Sequence, residues 1–446
     1  MIQKFTLLAG LAASLASAQQ IGTVIPESHP KLPTKKCTLA GGCQTVNTLI
    51  TIDAFQRPLH KIGDPSTPCV VGGPLCPDAE TCAANCALEG VDYASMGVKT
   101  EGDALTLNQW MPDPANPGQY KTTTPRTYLV AEDGKNYEDI KLLAKEISFD
   151  ADVSNLPCGM NGAFYLSEML MDGGRGDLNP AGAEYGTGYC DAQCFKLDFI
   201  NGEANINQTH GACCNEMDIF ESNSRAKTFV PHPCNITQVY KCTSEDECGQ
   251  PVGVCDKWGC GFNEYKWGAQ DFYGRGSSNK VDSTTKFTVT TQFLTDNGRE
   301  DGTLVEIRRL YHQHGKLIQN TAIAVSEDGD GFSADSVSTE FCERTAPFTM
   351  QRGGLKAMGE ALARGMVLVF SIWADDAGFM NWLDAEGNGP CSASEGDPRE
   401  IVKNKPDARV TFSNIRWGEI GSTYAPGGGK CGVNMKSSRV ARGLSA

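Results

Sequence analysis

Residues 213–223 read Cys213-Cys214-Asn215-Glu216-Met217-Asp218-Ile219-Phe220-Glu221-Ser222-Asn223. In an extended strand, successive side chains point to opposite faces. Met217 and Ile219 then face a core, while Glu216 and Asp218 face away from it. Glu221 has the wrong parity for that acidic face. A β-bulge between Asp218 and Glu221 restores it, and bulges recur beside active sites. The bulge also draws together two glutamates whose backbones would otherwise lie about 16 Å apart over five residues.

The segments around this stretch are also strand-like. Lys286 to Phe293 alternates and ends at the turn Asp296-Asn297-Gly298. Leu304 to Tyr311 and Lys316 to Ile318 flank His314-Gly315, which predicts a hairpin. Met366 to Trp373 is an apolar run suited to a strand buried on both faces, and Arg409 to Trp417 alternates again. One helix is predicted where Leu355, Met358 and Leu362 recur at helical spacing before Gly365. Short strands separated by 49 glycines and many turn dipeptides indicate an all-β sandwich or barrel, not alternating βαβ units. No Gly-rich phosphate loop follows a strand and opens a helix, so nucleotide chemistry has no support. No internal repeat or mid-chain linker is visible.

Residues 1–18 fit a secretory signal peptide: Lys4, an apolar stretch from Leu7 to Leu15, then Ala16-Ser17-Ala18. The apolar stretch is too short to span a bilayer, and no later run reaches the roughly 20 apolar residues a membrane helix needs. A secreted, extracellular protein is expected, with no membrane partner. The chain carries a formal charge of -15, an acidic surface that repels phosphate backbones and argues against nucleic acid. Nineteen cysteines suit an oxidising compartment. Spacing alone does not fix their pairing, and Cys190/Cys194 and Cys255/Cys260 have spacings that zinc also uses. Cys431 stands isolated near the C-terminus, in a Gly-rich basic tail at 423–446 expected to be disordered. Asn207-Gln-Thr and Asn235-Ile-Thr fit the N-glycosylation pattern.

Clustered carboxylates suit glycoside hydrolysis. One attacks the anomeric carbon; the other protonates the leaving oxygen and later activates water. Three acids on one face also repel one another, which raises at least one pKa and keeps an acid protonated near neutral pH. Read from the residues alone, a calcium site and a solvated acidic edge remain open. Calcium ordinarily takes six to eight oxygens, with more Asp, Asn and backbone carbonyls in a loop.

The chain resembles glycoside hydrolase family 7, the fungal cellulases. The resemblance rests on Glu216-Met-Asp218-Ile-Phe-Glu221 after paired cysteines and on Pro231-His232-Pro233-Cys234. It continues through Tyr185-Gly-Thr-Gly-Tyr189-Cys-Asp-Ala-Gln-Cys194, Gly365 to Trp373, Met380-Asn-Trp382-Leu-Asp384 and Val410 to Ile415. These blocks imply a catalytic domain over 19–422, built as a curved concanavalin A-like β-sandwich (a jelly roll) with long loops and a substrate cleft. They imply Glu216 as nucleophile, Glu221 as acid/base, Asp218 as the helper of the nucleophile and His232 as cleft support. Trp373 and Trp382 match tryptophans that stack sugar rings. Tyr165, Tyr189, Asp191 and Gln193 match polar positions on the glycone side. The implied bridges are Cys37–Cys43, Cys69–Cys86, Cys76–Cys82, Cys158–Cys391, Cys190–Cys214, Cys194–Cys213, Cys234–Cys255, Cys242–Cys248 and Cys260–Cys342, with Cys431 left over.

Within the family, endoglucanases have open clefts and cellobiohydrolases have tunnels. The connection from Asn201 to Cys213 and the loop from Trp382 to Cys391 are short. Gln250 and Asn388 stand where cellobiohydrolases hold product with arginines, and Gln56 and Pro58 where they carry tryptophan platforms. The resemblance therefore implies a retaining endo-β-1,4-glucanase with an open cleft, acting on cellulose and other β-1,4-linked glucans. A cellobiohydrolase and a non-catalytic carbohydrate-binding sandwich are the alternatives. The longer segment Cys242 to Cys255 is expected to keep part of a roof. Phe220 and Ser222 replace a common tryptophan and alanine, with altered packing expected. A monomer without cofactor or metal is expected.

Overall fold

The structure, a computed structural model, describes residues 20–325 and 331–424. The expected signal segment, Cys431 and all but the first two residues of the expected tail lie outside these. No helix among the described residues is long and apolar enough to cross a membrane.

Two sheets face each other. The inner one has six antiparallel strands in the order Lys227–His232, Glu216–Ser222, Met160–Ser167, Val367–Ala374, Arg126–Val130, Leu49–Ile52. The outer, ten-stranded sheet is centred on Lys145–Asp152, between Phe287–Thr295 and Arg409–Glu419. Leu304–Gln313 pairs with Phe287–Thr295, then turns at His314-Gly315 into Lys316–Gln319, the expected hairpin. Gly315 takes a positive φ of 73°, which a glycine adopts without steric cost. The predicted helix runs Gly354–Arg364 and stops at Gly365, whose φ is 113°.

Between the sheets lies one apolar core. Met217, Ile219, Phe220, Phe164, Phe370 and Ile372 come from the inner sheet; Ile147, Phe149, Phe287, Val289 and Phe412 come from the outer. Phe149 stacks on Phe164 across the gap with ring centroids 3.8 Å apart. Phe220 fits edge-on against Phe149 (5.8 Å) and Phe287 (6.0 Å), so the smaller ring is absorbed by aromatic packing. Losing such a buried ring costs about 3–5 kcal/mol. The opposite side of the inner sheet presents Tyr128, Ala163, Tyr165 and Val369, and this is the face that carries the site.

All nine bridges form with the implied partners. Cys158–Cys391 closes the longest loop, 233 residues, the case in which a cross-link removes most unfolded-chain entropy. Buried Lys227 pairs with buried Glu264 at the edge of the inner sheet. Thr423 is buried: its N–H and hydroxyl donate to Glu146 Oε1 at 2.8 and 2.7 Å, so the packed chain continues past residue 422.

Candidate active site

The acidic strand Glu216–Ser222 carries the bulge that its parity required. Against Met160–Ser167, Phe164 faces Phe220 and Tyr165 faces Asp218, so Ile219 is skipped. Against Lys227–His232 the register shifts between Asp218 and Glu221. Ile219 and Phe220 therefore both enter the core, and Glu216, Asp218 and Glu221 all reach the opposite face. There they line one groove of about 960 Å³.

Glu216 is buried and its Oε2 accepts the Ala192 N–H at 3.1 Å. Burial, with the charges of Asp218 and Asp191, pushes its carboxyl well above the usual range; His232 and the Ala192 N–H pull the other way. Asp218 is pushed well above the usual range by burial and by Asp191. Glu221 is half-buried, and burial together with Asp218 pushes its carboxyl up to about 8. Asn161 Nδ2 donates to Glu221 Oε1 at 2.9 Å, which partly offsets that rise.

His232 is held on both nitrogens. Its Nδ1 lies 2.9 Å from the Asp256 carbonyl and its Nε2 lies 3.0 Å from Asp218 Oδ2. A carbonyl only accepts, so Nδ1 carries a proton. Nε2 and the carboxylate oxygen then need one further proton between them to be bonded.

Tyr165, Tyr189, Asp191 and Gln193 all line the same groove. Tyr189 hydroxyl donates to Asp191 Oδ2 at 2.8 Å and lies 3.1 Å from the Tyr165 hydroxyl. Gln193 Nε2 donates to the Lys257 carbonyl at 2.9 Å. Cys190–Cys214 and Cys194–Cys213 bolt this loop to the two residues before Asn215, which fixes Ala192 over Glu216. Trp373 and Trp382 face each other, ring centroids 6.2 Å apart and planes 26° apart.

Several contributors escaped the sequence reading. Asn161 shares its face with Tyr165, four residues on, and that parity was the available signal. Arg126 lies 3.4 Å from the Tyr189 ring centroid and pairs with Asp53, both in the groove wall. Phe55, Phe195 and Trp258 also line it, exposed by 74%, 55% and 61%. Phe55 stands beside Gln56, whose amide instead struts the wall by donating to the Thr123 and Thr124 carbonyls at 2.8 Å. Pro58 and Gln250 do not line the groove, whereas Asn388 does.

The expected partial roof is not formed. No residue from Cys242 to Cys255 lines the groove. The segment is drawn back onto Arg352, whose Nε donates to the Gly253 carbonyl at 2.6 Å, and Thr349 bonds Asp256 beside it. Aromatic faces this exposed along the groove floor and rim describe an open cleft. Neither metal-like cysteine spacing is free to hold zinc, because all four thiols are bridged.

The model for Glycosyl hydrolase family 7 matches residues 21–424. The probable endo-β-1,4-glucanase celB of Aspergillus terreus is 54% identical over 428 residues, covering 95% of this chain and 99% of its own. The endo-β-1,4-glucanase celB of Emericella nidulans is 50% identical, covering 93% and 97%. Among solved structures, the native endocellulase EGI of Humicola insolens superposes with a TM-score of 0.84 at 44% identity, over 91% of this chain and all of that one. Matched by the family model from residue 21 to 424, and by relatives of about half identity over almost its whole length, the chain belongs to glycosyl hydrolase family 7.

Proposed function

We propose that the protein is an endo-acting β-1,4-glucanase that cuts internal bonds of cellulose and related β-glucans with retention of configuration. The observation that carries this reading is the pairing of Glu216 and Glu221 on one face of one bulged strand, in one groove, with burial and Asp218 pushing the Glu221 carboxyl up to about 8. Open walls and the names of the relatives support endo action.

Glu216 is the nucleophile. Its Oε2 accepts the Ala192 N–H, a donor that favours the carboxylate form. Its carboxylate bonds to the anomeric carbon as the bond to the leaving sugar oxygen breaks, and Glu221 gives that oxygen its proton. Water then attacks the same carbon, Glu221 takes the water's proton, and the bond to Glu216 breaks. Asp218, held by His232 Nε2 at 3.0 Å, is the helper beside the nucleophile. Trp373 and Trp382 offer flat faces to sugar rings. The same reading makes the chain an exported monomer acting outside the cell on polysaccharide. Asn207 and Asn235, both exposed, would carry its glycans.

Viscometry on carboxymethylcellulose tests the endo assignment. Viscosity should collapse early, before many reducing ends appear; reducing ends accumulating at high viscosity would overturn it. Glu216→Gln should abolish hydrolysis and leave cello-oligosaccharide binding intact. Activity retained in that variant would remove Glu216 as nucleophile.

A further inference from the structure

Arg309 lies mid-strand in Leu304–Gln313 of the outer sheet and is fully buried. Ile307 and Tyr311, on the same face, are core residues, so its guanidinium lies between the two sheets. Among the described residues it forms no ion pair. Burying a cation without a counter-ion is costly, so its contacts must compensate. Its Nη2 donates to the backbone carbonyl of Ile219, Nη1 reaches the Tyr311 hydroxyl at 3.4 Å, and the guanidinium carbon stands 4.3 Å from the Phe229 ring centroid.

Ile219 is the bulge residue. It has no partner on Met160–Ser167. On the other side, Asp218 opposes Val230 and Glu221 opposes Thr228, which leaves Ile219 and Phe220 together against Phe229. A bulge takes backbone groups out of the ladder, and here the surroundings are apolar core. A buried carbonyl without a donor is strongly disfavoured. Arg309 crosses the sandwich to supply that donor, and its planar, weakly hydrated cation rests on the ring of the residue facing the bulge.

We propose that Arg309 is a positioning residue: it locks the bulge at Ile219 and thereby sets where Glu221 stands relative to Glu216. The inference rests on the assignment of those two glutamates as acid/base and nucleophile. Loosening the bulge acts unequally on them. Glu216 is held from upstream by the bridges of Cys213 and Cys214 and by the Ala192 N–H. Glu221 lies downstream and, among the described residues, has only Asn161 hydrogen-bonded to its carboxylate. Acid catalysis should therefore suffer more than nucleophilic attack.

The test compares Arg309→Met and Arg309→Lys with the parent protein, well below their melting temperatures, on two substrates. Cellotetraose needs protonation of its leaving group; 2,4-dinitrophenyl β-cellobioside does not. The Met variant should lose about 100-fold in kcat/KM on cellotetraose, the scale of a misplaced catalytic group. Its loss on the aryl glycoside should be at least about tenfold smaller, since general acid catalysis is bypassed there. The Lys variant, which keeps a donor, should show the same imbalance at smaller size. Equal losses on both substrates, or cellotetraose activity within about threefold of the parent where a displaced group should cost far more, would overturn the inference. If the Met variant does not fold, the substrate ratio in the Lys variant decides. Failure of the underlying assignment looks different: Glu221→Gln would itself lose equally on both substrates.

Discussion

Replacing Glu221 by Gln should make the protein less sensitive to alkali in its stability, not only less active. A carboxyl pushed up to about 8 keeps its proton in the folded chain while the unfolded chain ionises near 4.5. Below the lower value both states are protonated and nothing is gained or lost. Between the two values the unfolded state releases a proton that the folded state must keep, so stability falls as pH rises. Gln is neutral in both states, and its Oε1 can still accept from Asn161 Nδ2. The parent should therefore lose about 2 kcal/mol relative to the variant between about pH 5 and about pH 7. For a body of this size that is a melting-temperature gap widening by about 2–3 °C. Scanning fluorimetry of both proteins across that range measures it. A gap that stays constant, or narrows as pH rises, would refute the claim that burial and Asp218 hold Glu221 protonated.

Three further outcomes follow from the same geometry. Asn161→Ala removes a donor that favours the anion of Glu221, so the alkaline limb of the kcat/KM profile should move upward by up to about one pH unit; a downward shift would count against it. Lys227→Met strands buried Glu264 and should cost about 3–5 kcal/mol in denaturant unfolding, whereas Lys227→Met with Glu264→Leu should recover most of that. Trp382→Ala, which removes an exposed face of the aromatic pair, should weaken cello-oligosaccharide binding about tenfold by calorimetry, with little change in melting temperature because the ring is 43% exposed.

Strand parity made the acidic segment legible, because a period of two leaves few ways to place Glu216, Asp218 and Glu221 together. The bulge at Ile219 was readable as a requirement, though its stabilisation was not. Arg309 sits 90 residues away in sequence and reads as one more polar residue on an alternating strand. Only the sandwich, which sets the two sheets face to face, shows that it points inward. The drawn-back segment Cys242 to Cys255 was misread for a similar reason. Its length suggested a roof, but its direction is set by Thr349 on the short helix Pro347–Gln351 and by Arg352, which caps that helix, about 100 residues on. Phe55 and Trp258 were hidden because an aromatic in a single 3-10 turn or a bend carries no periodicity.

The two bridges beneath the 190s loop bear on how the protein can be made. Cys213 and Cys214 are neighbours, and their partners Cys190 and Cys194 are four residues apart. Exchanging partners closes loops of almost the same length, so chain entropy barely separates the correct isomer from the swapped one. Selection must come from native packing acting through thiol exchange. A batch refolded without a shuffling catalyst should thus contain a largely folded fraction with nine bridges and no more free thiol than the correct isomer, in which Ala192 no longer meets Glu216. Such material would pass a free-thiol assay and a mass measurement, and only active-site titration would reveal it.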